Sequence, residues 1–132
     1  MIKVYNNIIP AKGFMAMTIW PLLFIKKKEA WRFNANDERH ENIHGEQQKE
    51  MLAVGGIIAA CMLLLGCGWW SLVPIPLFFW WYLTEWLLRL IFGKGNAYRN
   101  ISFEREAFGN EKNEIYLAQR KRFAWVKYIT KG

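Results

Sequence analysis

Residues 40–44 read His-Glu-Asn-Ile-His, an HExxH pattern. On a helix, His40 and His44 stand at i and i+4, so both imidazoles leave the same face one turn apart. That spacing lets both bind a single Zn2+, with Glu41 beside them as a general base for a water. These are the only two histidines of the chain. Random placement would produce the pattern with a frequency on the order of 0.1%, which favours a zinc site over a solvated polar helix face. A catalytic zinc also needs a third protein ligand. Cys61 and Cys67 lie in an apolar block and form no metal-ligand spacing, so a carboxylate must serve. The acidic block Ser102-Phe103-Glu104-Arg105-Glu106-Ala107-Phe108 is the candidate source.

With these two blocks the chain resembles the gluzincin class of HExxH zinc metallopeptidases. In that class the third ligand is a Glu on a downstream helix, with Ala three positions later and Asp four. Glu104 and Ala107 match; Phe108 stands where the Asp would be. The layout from about Pro10 onward, HExxH followed by an apolar hairpin and then an FEREA block, is similar to small uncharacterised bacterial membrane proteins. The resemblance implies a metal site of His40, His44 and Glu104, with Glu106 as a rival ligand and Glu41 as the catalytic base. It also implies an oxyanion-stabilising residue, for which Tyr98, Arg99 and Tyr116 are the candidates.

The elements that must position these groups follow from the charge pattern. The chain has 132 residues, enough for one domain, and 53% of them are hydrophobic. Residues 51–84 carry no formal charge, while residues 1–50 hold eight Lys/Arg and residues 94–132 hold nine. Basic flanks around an apolar block read as membrane topology. Residues 1–35 read as short strands, broken by Pro10 and by Trp20-Pro21, with a short membrane-surface segment as the competing reading. Residues 14–19 offer an edge for an extended peptide. A capped helix over 36–66 carries HExxH and continues into the apolar block. A second apolar helix covers 75–92, and Glu85 and Arg89 on it have ion-pair spacing. A third helix over 102–122 carries the Glu ligand, and 123–132 reads as an interfacial tail.

The expected fold is therefore mainly α with a small N-terminal β element. The HExxH helix runs into a membrane helical hairpin, either fully spanning or re-entrant, which returns the chain to the third helix. The expected location is a bacterial inner (cytoplasmic) membrane with the zinc site on the cytoplasmic side. The partners that follow are the lipid bilayer and a peptide or protein substrate, or a larger membrane assembly. No basic run is interleaved with aromatics in a nucleic-acid module, so nucleic acid is not expected. Two functions from different classes fit: a zinc metallopeptidase, and a non-enzymatic accessory protein whose zinc ties helices together. Glu41 favours the first, because a structural site needs ligands but no base. A basic membrane-surface protein without metal is the third reading.

Overall fold

The structure is a computed structural model that describes residues 1–130. Three short strands form one sheet: β1 (Ile2–Asn6), β2 (Ala16–Ile19) and β3 (Leu22–Lys26), in the order β1-β3-β2. Trp20 and Pro21 form the turn between β2 and β3, which pair antiparallel with Ile19 opposite Leu22. β1 adds in parallel to the other side of β3. Leu23 and Ile25 alternate onto the inner face and are fully buried. β2 is left as an edge strand.

The helix α1 spans Ala35–Leu64. Asn34 starts it with a reciprocal cap. Its side chain accepts hydrogen bonds from Asn36 N (2.8 Å) and Asp37 N (3.2 Å), while the Asp37 carboxylate accepts from Asn34 N at 2.9 Å. A 3-10 turn (Gly68–Leu72) leads to α2 (Leu77–Phe92), which begins after Pro76 because proline supplies no N–H to a preceding turn. Then come α3 (Ser102–Asn110), α4 (Tyr116–Gln119) and a 3-10 turn (Ala124–Tyr128).

The membrane helical hairpin expected from the sequence is corrected here. Among the described residues, no helix is long and apolar enough to cross a membrane. The reason lies in how the uncharged block is divided. The apolar part of α1, residues 51–64, is about 21 Å long, and the 16 residues of α2 reach about 24 Å, against a hydrocarbon core of about 30 Å. Gly66, Gly68, Pro74 and Pro76 hold the residues between them out of either helix. The expected inner-membrane location, with a cytoplasmic zinc site, rests on that hairpin and falls with it.

The polar pair of α2 works inside the protein. Glu85 accepts from the Ser102 backbone N–H (2.9 Å) and hydroxyl (2.6 Å), which satisfies the first turn of α3, whose own cap residue Ile101 offers no side-chain bond. Arg89 donates to Glu85 at 3.1 Å and to the Ile129 carbonyl at 2.8 Å. The expected third helix over 102–122 is shorter than the pattern suggested. It ends at Asn110, and the chain turns so that Arg120 folds back between Glu50 and Glu106. The segment read as an interfacial tail buries Trp125 in a core with Met51, Phe78, Ile101 and Phe103. Its last two residues, 131–132, lie outside the described residues.

Candidate metal centre

HExxH occupies the first turns of α1, on the face that packs against α3 and the sheet. His40, Glu41 and His44 are all buried. Glu104 arrives from the first turn of α3, and its side chain is buried as well. The Nε2 atoms of His40 and His44 lie 3.1 Å apart. One Glu104 oxygen lies 3.2 Å from His40 Nε2 and the other 3.3 Å from His44 Nε2. Neighbouring ligands of a four-coordinate zinc stand about 3.3 Å apart when each bond is about 2.0–2.1 Å. The three residues form a buried group that could hold a metal ion.

The hydrogen bonds behind the ligands fix which ring nitrogens face inward. His40 Nδ1 lies 2.9 Å from the Glu111 carboxylate, which can only accept. His44 Nδ1 lies 2.8 Å from Gln47 Oε1. The Gln47 amide is itself oriented: its Nε2 donates to the Phe103 carbonyl (3.0 Å) and to Glu106 (2.9 Å), so its oxygen faces His44. In the neutral imidazoles both Nδ1 atoms therefore carry the proton, and two bare Nε2 lone pairs face each other beside a carboxylate. Glu104 Oε1 accepts from the Tyr82 hydroxyl at 2.8 Å, whereas Oε2, although buried, accepts no hydrogen bond. Such a donor set calls for a cation.

The electrostatics agree. Burial opposes charge on His44, but the Glu104 carboxylate outweighs it and raises its pKa to about 9. Burial likewise opposes charge on Glu104, and the two histidines outweigh it, holding the carboxyl well below the usual carboxylate range. Without metal, a proton on His44 fills the place of the cation. Burial first, and then the Glu104 charge, push the phenols of Tyr82 and Tyr98 far up.

Glu41 lines a cavity of about 320 Å³ together with His44, Glu104, Tyr82 and Tyr98. The Thr18 hydroxyl of β2 donates to Glu41 Oε2 at 2.7 Å. The other residues singled out from the sequence are dispersed. Glu106 lies apart from the His40–His44–Glu104 group. Fully buried, it takes hydrogen bonds from Gln47, Tyr116 and Arg120. Tyr116 is thereby held at Glu106, and the Arg99 guanidinium sits 4.2 Å over the Phe108 ring. Tyr98 alone of the three oxyanion candidates lines the cavity. Phe108 packs edge-on against His40 with ring centroids 4.5 Å apart.

Sequence reasoning passed over Glu111, Gln47, Tyr82 and Thr18. Two of these carry a helical signal. Gln47 lies three residues from His44, its partner, and Glu111 lies seven from Glu104, spacings that on a helix put each on the face of a ligand. Nothing in the sequence marks Thr18. No family model, curated protein or solved structure matches the chain.

Proposed function

We propose that this protein is a zinc-dependent peptide hydrolase of the gluzincin kind, with His40, His44 and Glu104 as ligands and Glu41 as the base. The observation that carries this reading is the convergence of two inward imidazole lone pairs with a buried carboxylate, two of these three residues, His44 and Glu104, lining a cavity that Glu41 also lines. Bound there, zinc supplies a Lewis acid for the scissile carbonyl and lowers the pKa of a water to near neutrality.

The remaining steps belong to the chain. Thr18 holds one Glu41 oxygen at 2.7 Å, leaving the other for a proton on water. Glu41 takes that proton as the water oxygen attacks the peptide carbonyl, and it returns the proton to the departing amine as the C–N bond breaks. Tyr98, kept protonated by its buried site, donates to the oxygen of the attacked carbonyl. Tyr82 steadies Glu104 from behind.

Glu41→Gln separates catalysis from metal binding. The variant is expected to keep its zinc and lose peptide hydrolysis. Undiminished hydrolysis in the zinc-loaded variant contradicts the mechanism. A zinc-bound wild type inert on broad peptide libraries favours instead the accessory protein in which the metal ties α1 to α3.

A further inference from the structure

A second cavity, of about 700 Å³, is set against α2 and shares no lining residue with the one beside the metal centre. Leu77, Trp81, Thr84 and Leu88 are spaced by four, three and four residues, so one stripe of α2 runs along it for about 16 Å. Trp80, Phe92 and Ile129 complete an apolar wall. Leu88, Trp80 and Phe92 are half or more exposed. The space lies well inside the range of ligand pockets, about 300 to 1,000 Å³.

Its two charged side chains are in unequal states. Glu85 is saturated. Its Oε1 accepts from the Ser102 backbone N–H and from Arg89, and its Oε2 from the Ser102 hydroxyl and, at 3.1 Å, the Trp81 indole. Arg89 spends only Nη2, on Glu85 and on the Ile129 carbonyl. Its Nε and Nη1 meet no acceptor among the described residues. A guanidinium presents its N–H donors as a flat fork that takes a carboxylate two bonds at a time. Arg105 adds a second positive charge close by. Burial first, and then the Arg89 charge, hold its pKa below the ordinary value, and Glu85 offsets this only in part. A long apolar wall thus ends at a cation with donors to spare.

We infer that this cavity binds a fatty-acid anion, its carboxylate on the Arg89 fork and its acyl chain laid back along the α2 stripe toward Leu77. The chain exchanges water for Leu88, Trp81 and Leu77, and each further methylene adds to that burial. A short carboxylate gains the fork alone, which beside water is worth little. A cationic headgroup would face Arg89 and find the one carboxylate of the cavity already taken by four donors. None of the three metal ligands lines this cavity, so the site works without zinc and stands apart from the hydrolase reading.

Calorimetry on the full chain with amphiphiles kept monomeric tests this. Dodecanoate is expected to bind saturably and about 10-fold or more tighter than either dodecyltrimethylammonium or hexanoate, with and without a zinc chelator. Arg89→Gln is expected to abolish the preference for the anion. Should loss of the bond to Glu85 unfold that variant, Leu88→Glu decides. It sets a carboxylate on an exposed part of the wall and is expected to weaken dodecanoate by about 10-fold or more. Equal binding of anion and cation, no saturable dodecanoate binding, or its loss on chelation overturns the inference. So does an unchanged preference in folded Arg89→Gln, or undiminished dodecanoate binding in Leu88→Glu. Capture of the protein by phosphatidylcholine vesicles, without saturable dodecanoate binding, overturns it in favour of a bilayer surface against the apolar wall.

Discussion

Glu111 accepts a hydrogen bond from His40 Nδ1 at 2.9 Å, supplying from the end of α3 the carboxylate that Phe108 cannot. A carboxylate behind a ligating imidazole fixes its tautomer and raises its basicity. Glu111→Ala is therefore expected to weaken zinc binding by about 10–100-fold while leaving the fold intact, because this side chain is partly exposed. Competition with a zinc-chelating dye measures it. Unchanged affinity shows that His40 is positioned without Glu111.

The pH dependence of the metal-free protein follows from His44. Its folded-state pKa lies above its ordinary value, at about 9. The protonated ring therefore contributes stability that is fully present below pH 6.5 and is lost as pH rises through 9. The expected loss is on the order of 3 kcal/mol between pH 6.5 and pH 10. Urea unfolding of chelator-treated protein across that range checks it, and His44→Gln should flatten the decline. Stability that rises from pH 7 to 9 contradicts the assigned pairing with Glu104.

Adjacent glycines of α1 should respond in opposite senses. A Cβ on Gly55 would run into the Pro74 carbonyl of the neighbouring turn, whereas one on Gly56 meets nothing. Gly56→Ala is expected to stabilise by about 0.5–1 kcal/mol through helix propensity. Gly55→Ala is expected to destabilise despite the same gain, because the Pro74 backbone must shift. Thermal unfolding of the two variants side by side decides it; equal shifts would mean that α1 and the turn at Pro74 do not pack as described.

Arg120 ties three segments together, reaching Glu106 of α3 at 2.5 Å and Glu50 of α1 at 2.5 Å from the end of α4. Its removal strands the fully buried Glu106 carboxylate without a cation. Arg120→Ala is expected to cost about 3–5 kcal/mol in denaturant unfolding. A cost below about 1 kcal/mol would show that the network is not closed from water.

The local signals of the sequence were legible where they were covalently close. A capped start of the HExxH helix and the i, i+4 histidines are read within one or two turns of a single helix; the cap falls on Asn34, with the helix beginning at Ala35 and not at residue 36, and the histidines share one face. The short strands before α1 follow from strand-forming residues and from the breaks at Pro10 and Trp20-Pro21. What the sequence hid was the use of polar groups at a distance. Glu85 and Arg89 read as charges to be reconciled with an apolar surrounding, but they hold the first turn of α3 and the chain at Ile129. The uncharged run from 51 to 84 reads as a membrane hairpin, spanning or re-entrant, because average hydropathy ignores where helices end. Pro74, Pro76 and the glycines before them cut it into pieces too short to cross. Thr18 meets Glu41 across 23 residues, a pairing set by the sheet and not by any spacing.

Zinc stoichiometry tests the central claim most directly. After zinc loading and exhaustive dialysis, elemental analysis of the folded full chain is expected to give one zinc per wild-type molecule. His44→Ala and Glu104→Ala should give none, and Glu106→Gln should still give one. Wild-type protein without stoichiometric zinc contradicts the account, and so does a Glu104→Ala protein that keeps its metal while Glu106→Gln loses it.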